Sequence, residues 1–215
     1  MKKTALFIIA TFVVAMFANA QVSDTKSKKV LNSVTEKLES YSTIKINFTF
    51  TEKKEGKTNS TKKGRVWTKG SKYYLKFAGQ TIYSDGTTKW TYIKESEECH
   101  ITDVDEGDDF ANPLNLLKNY SSKFDTRWIR EEQYKKNKVI IVDLYPKKDN
   151  KSYHRVRLRI NKTNHQIVST TVYNINNVSQ TIDIDSFKTN EAIPDSTFVW
   201  KSEDHPGVED IDLRE

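Results

Sequence analysis

Four histidines, one cysteine and one acidic run are the residues of this chain whose types could do chemistry. His100, His154, His165 and His205 are scattered, and none falls in an HExxH or CxxC-type arrangement that would gather metal ligands. His100 follows Cys99, but neighbours on a strand point to opposite faces, so the pair gains nothing from adjacency. Asp103 to Asp109 reads DVDEGDD and invites a calcium loop. Counted from Asp103, position 6 is Asp108 where that loop needs glycine, and position 12 is Leu114 where it needs glutamate. There is no GxSxG, P-loop or GxGxxG. The expectation is therefore no catalytic set, no metal and no cofactor, with a solvated acidic loop and a buried strand cysteine. The chain is not expected to be an enzyme.

What remains is binding by apolar surface. Hydrophobic residues make up 36% of the 215-residue chain and charged residues 30%, so places where rings cluster carry information. Ser71 to Glu95, SKYYLKFAGQTIYSDGTTKWTYIKE, is such a place. Three functions fit a chain of this kind: a carrier for a hydrophobic ligand, a protein-interaction module, or a lipid-acting hydrolase without a recognisable nucleophile.

The elements that must position these rings follow from periodicity. Residues 1–20 read as a cleaved leader: Lys2 and Lys3, an apolar run from Ala5 to Ala18, then Ala18-Asn19-Ala20. The run falls short of the roughly 20 apolar residues a membrane span needs. With its one cysteine at Cys99, the expected mature chain has neither an N-terminal lipid-modified cysteine nor a disulfide. An exported, soluble and monomeric protein is expected. The net charge of +6 includes Lys2 and Lys3 and leaves +4 without them, which argues little for nucleic acid and suits an anionic membrane surface.

After Ser23-Asp24, Val30, Leu31, Val34, Leu38 and Tyr41 recur at helical spacing. The period then switches. Ile44, Ile46, Phe48 and Phe50 alternate with polar residues, and about ten such strands follow at short spacing, with Ser84-Asp85-Gly86 as a hairpin signal. Asn112-Pro113, followed by Leu114, Leu116, Leu117 and Tyr120, interrupts them as a short apolar helix with a good N-cap. One large antiparallel sheet is expected, with an N-terminal helix and an inserted helix over one face. Residues 21–215 are read as one domain.

Several motifs taken together resemble the LolA family of periplasmic outer-membrane lipoprotein carriers. They are Phe48-Thr49-Phe50, Gly64-Arg65-Val66-Trp67, Ser84-Asp85-Gly86 with Trp90 and Tyr92, Asn112-Pro113 with Leu116-Leu117, and the ending Ile193-Pro194, Phe198-Val199-Trp200, Pro206-Gly207-Val208. The resemblance implies a mainly β fold: a single, strongly curved, incomplete β-barrel whose helices form a lid over a cavity for acyl chains. Phe48, Phe50, Tyr73, Leu75, Phe77, Trp90 and Tyr92, with Leu114 and Leu117 from the lid, are then expected to border that cavity. The implied partners are acylated lipoproteins, an inner-membrane ABC transporter that releases them, and an outer-membrane acceptor. A lipid-binding or stress-sensor module on the same half-barrel is the alternative. One departure stands out: Trp67 is followed by Thr68-Lys69-Gly70, without the family's arginine and proline, and lysine lacks arginine's planar fork of donors.

Overall fold

The computed structural model describes residues 24–104, Leu117, 120–148 and 152–214. The expected leader, most of the acidic run and the expected start of the inserted helix, with Leu114, lie outside them. The first element is helix α1 (Thr25–Glu39). Asp24 caps it by accepting the Ser27 backbone N–H at 2.6 Å. Its other carboxylate oxygen accepts the Trp128 backbone N–H, so the cap also pins the helix start to a strand. Leu31, Val34 and Leu38 form the buried stripe of the helix.

Twelve strands follow: β1 (Ile44–Lys54), β2 (Lys57–Lys69), β3 (Lys72–Phe77), β4 (Gln80–Ser84), β5 (Thr88–Ile93), β6 (Glu98–Asp103), β7 (Phe124–Tyr134), β8 (Asn137–Pro146), β9 (Tyr153–Asn161), β10 (Ile167–Asn174), β11 (Val178–Thr189) and β12 (Glu209–Asp212). A single turn of helix, α2 (Tyr120–Lys123), precedes β7. All the strands belong to one open, strongly curved sheet in the order β12-β6-β5-β4-β3-β2-β1-β11-β10-β9-β8-β7. Two meanders, β1–β6 and β7–β11, meet where β1 pairs with β11. Ser84-Asp85-Gly86 forms the expected turn, with the Asp85 carboxylate accepting the backbone N–H groups of Thr87 and Thr88, both at 2.8 Å.

The sheet goes beyond the sequence expectation in two ways. It has twelve strands rather than about ten, and its last pairing, β12 on β6, is parallel. β2 also starts at Lys57, well before the Arg65-Val66-Trp67 stretch that marks it in sequence. Glu55 (φ 51°) and Gly56 (φ 79°) make a two-residue turn with both central residues left-handed, the geometry that lets β1 return directly as β2.

Strand register fixes which side chains share a face. On the face that α1 covers, Ile44, Ile46 and Phe48 join Val66, Val142, Leu144, Val156, Leu158 and Ile160 in one buried cluster with the helix stripe, Leu117 and Tyr120. The opposite, outer face is polar over β8–β10. Asp143 there is fully buried and accepts both Nε and Nη2 of Arg157 at 2.7 Å. The guanidinium of Arg155 lies 3.9 Å over the Tyr173 ring, and that of Arg159 lies 4.5 Å over Tyr134. Ile141, paired with Arg130 and Arg159, is buried on this outer face. Long arginine stems can cover apolar surface in this way while their charged heads reach partners.

Candidate functional site

The inner face is not uniformly closed. Phe48, Tyr73 and Leu117 are buried, whereas Phe50, Leu75 and Phe77 are only half-buried. The rings of Phe48 and Phe50 both meet Phe77, with centroids 5.7 Å and 5.1 Å apart. Ladder pairing continues this surface across the sheet. Leu75 pairs with Ile82, Phe48 and Phe50 pair with Ile184 and Ile182, and Val172 follows on β10. Ile82, Val172, Ile182 and Ile184 are likewise half-buried. The result is an apolar strip that side chains on the inner face only partly cover. Tyr73 sits at its far end between Thr68 and Ser84, both buried, and so closes that end with a polar row.

Trp90 and Tyr92 do not belong to this strip. Trp90 pairs with Tyr83, which pairs with Tyr74, which pairs with Trp67; that ladder ends on Lys45, on the outer side of β1. Lys89, Thr91 and Ile93 are the residues of β5 that face inward. Alternation within TKWTYI puts Trp90 and Tyr92 on one face but cannot say which, because rings line both sides of this wing.

On the outer face these rings form a second aromatic row. Trp67, Tyr74 and Tyr83 follow one another at 5.3 Å, and Tyr83 and Tyr92 meet Trp200 at 5.7 Å and 5.2 Å. Trp200 stacks on His205 at 4.0 Å and donates its Nε1–H to Asp210 Oδ1 at 2.9 Å, tying the C-terminal segment to β12. A groove of about 330 Å³ lies beside the row, lined by Trp67, Tyr74, Tyr83, Ser196, Thr197, Val199, Lys201, Asp204 and His205. Burial pushes the Tyr83 phenol up to about 12, with Tyr74 adding to the shift.

Lys69, nearest in sequence to the family's missing arginine, donates to Asp195 at 2.7 Å. Lys72 reaches the other oxygen of Asp195 at 3.1 Å. Lys69 first and Lys72 next hold the Asp195 carboxyl below the usual carboxylate range. The pair fastens the 3-10 turn Asp195–Phe198 to the β2–β3 corner.

The chemistry-bearing residues lie apart. His100 meets Glu98 at 3.0 Å, while His205 stacks on Trp200 and His154 lies near Tyr173. Among the described residues, no group of three histidine, cysteine or acidic side chains is placed to hold a metal ion. No described helix is long and apolar enough to cross a membrane.

These features define a class: an open, curved sheet with a helix on its inner face and a partly uncovered apolar strip beside that helix. The family model described as outer membrane lipoprotein carrier protein LolA matches residues 39–201, and the chain belongs to that family. Comparison with curated protein sequences finds no match. Among solved structures, an uncharacterized conserved protein from Thermus thermophilus superposes with a TM-score of 0.61 at 10% identity, over 87% of this chain and 99% of that one. A LolA superfamily protein from Nitrosomonas europaea gives 0.44 at 13% identity, over 81% and 97%. The Mycobacterium tuberculosis lipoprotein LppX gives 0.48 at 10%, over 80% and 99%. At such identities the first of these speaks for the fold alone.

Proposed function

We propose that this protein is a periplasmic carrier that takes acyl chains of lipoproteins onto the inner-face strip and moves them between membranes without a covalent step. One observation carries the reading: Phe50, Leu75, Phe77, Ile82, Val172, Ile182 and Ile184 form a continuous apolar strip left half-exposed. Membership of the LolA family supports it.

The physical need is large. Three acyl chains of about 15 methylenes, at about 0.8 kcal/mol per CH₂, cost on the order of 35 kcal/mol to hold in water. An apolar strip without dedicated hydrogen-bond partners can hide such chains and still release them. In this reading an inner-membrane ABC transporter supplies the cargo and an outer-membrane acceptor takes it.

The test is binding of a triacylated lipopeptide, against the same peptide without acyl chains. Acyl-dependent, one-to-one binding that weakens at least tenfold (about 1.4 kcal/mol) in Phe77→Glu is expected. Equal binding of the two peptides would overturn the carrier reading and favour an interaction or sensor module.

A further inference from the structure

The outer half of the β1–β2 hairpin, beyond Phe50, supplies no residue to the buried inner-face core, and it is rich in lysine. From Thr51 to Lys63 it carries Lys53, Lys54, Lys57, Lys62 and Lys63 against Glu52 and Glu55. All five lysines are exposed. Some lysines elsewhere are taken up by acids, as Lys45 is by Glu191, Lys135 by Asp183 and Lys162 by Glu131. Among the described residues, none of the five hairpin lysines has an acidic partner within ion-pair distance. Glu52 is turned to Asn59 and Gln180 instead, at 2.7 Å and 3.1 Å.

Position gives the charge a direction. β3 pairs with β2 only from Gly64 to Lys69, so the Lys57–Lys63 segment runs past β3 with a free edge. Lys62 pairs with Phe50, so the inner side of the hairpin continues into the half-buried rings of the apolar strip. Beside this step the β3–β4 and β5–β6 turns frame a cleft of about 360 Å³ lined by Ala78, Gly79, Gln80, Ile93, Lys94 and Glu95. Gln80 and Ile93 share the Phe77 ladder, so the cleft lies at the same end of the strip. Unpaired cations beside an apolar strip match an anionic bilayer, which presents phosphates above acyl chains.

We propose that the β1–β2 hairpin docks this protein onto anionic lipid bilayers. Each lysine brought to such a surface contributes through the negative potential of the leaflet, and that attraction fades within a Debye length. The proposal goes beyond the carrier reading and does not depend on it, because vesicle association is read with no acylated ligand present.

The test is flotation with vesicles of phosphatidylcholine alone and with phosphatidylglycerol added. The protein is purified from the cell envelope with its N-terminus read by mass, and unchanged thermal unfolding confirms that each variant is folded. Binding only to the anionic vesicles, lost on raising the salt, is expected. Lys53→Gln with Lys54→Gln should weaken it roughly tenfold, whereas Lys136→Gln with Lys138→Gln, in the β7–β8 hairpin, should leave it within about twofold. Equal loss from both pairs would mean that overall charge alone attracts the vesicles, and the hairpin assignment would fall. Absence of any preference for the anionic vesicles would leave these lysines as guards of an open strand edge, and would overturn the proposal outright. Lipopeptide binding in solution should be unchanged in the Lys53/Lys54 variant, so failure here and failure of the carrier reading are distinguishable.

Discussion

The tip of the Phe48 ring occupies the space that a side chain at Gly64 would need. The two are cross-strand partners in β1 and β2, and an added methyl at Gly64 would fall 2.7 Å from Cε2 and 2.9 Å from Cε1 of the ring. The glycine is not there for its φ, which is not in the left-handed region. It is there to let a phenylalanine lie across the sheet and reach Phe77.

Gly64→Ala should therefore overpack the inner face and lower stability by about 1–3 kcal/mol. Urea denaturation measures this. If the cause is the ring, Phe48→Leu in the same chain should recover part of the loss. A purely backbone cause predicts no recovery.

The two aromatic faces separate by mutation. Phe77→Glu places a charge within the apolar strip and should weaken acyl-dependent binding of a lipopeptide at least tenfold, about 1.4 kcal/mol. Trp90→Ser, on the outer face, should leave that binding within a factor of about two, a change worth under 0.5 kcal/mol. If the two variants lose binding equally, the strip is not the ligand surface.

How much of this was legible in sequence depends on what each residue is buried against. The alternation of Ile44, Ile46, Phe48 and Phe50 marked β1, and the helical stripe of Leu31, Val34 and Leu38 marked α1, because both patterns follow one covered face. Ile182 and Ile184 alternate as clearly with Asp183 and Asp185, so the β11 side of the strip was readable by the same signal. The side of Trp90 was not, since it depends on a register passed through four strands. The start of β2 was hidden too. KKEGKTNSTKK has no apolar period, and its hairpin is set by the Glu55-Gly56 turn and by pairing to β1 rather than by burial. Trp200 is held by the Tyr92 ring and β12 by parallel pairing to β6, both contacts far apart in sequence, which no local pattern announces.

Asp143 makes a sharp test of the outer face. It is fully buried and holds Arg157 by two bonds, with Arg155 Nη1 at 3.4 Å. Asp143→Asn keeps the shape but leaves a poorly solvated guanidinium without its counter-charge. The loss should lie near the lower end of the roughly 3–5 kcal/mol expected for a broken buried pair, because Arg157 keeps some contact with solvent. Asp143→Leu combined with Arg157→Met should restore most of it, again by urea denaturation. A double variant no more stable than Asp143→Asn would show that the carboxylate does something beyond compensating the arginine.

Cys99 links the buried edge of the sheet to alkaline pH. It is fully buried on β6, where burial first and Asp210 next push its thiol up to about 12 from an ordinary 9.0. Tyr83 is raised likewise from 10.0. In both groups the folded state keeps its proton longer than the unfolded chain. Their contribution to stability is therefore complete below the unfolded values and is lost as pH rises from about 9 towards 12. The urea midpoint should fall across that window, and Cys99→Ala should remove the part that starts near 9. At pH 8 the thiol should react with a disulfide reagent only as fast as the protein opens, since a buried, protonated sulfur is a poor nucleophile. Labelling of the folded protein at the rate of a free thiol would show that the β6–β12 edge is open in solution, and would contradict the parallel pairing of Asp210 with Cys99.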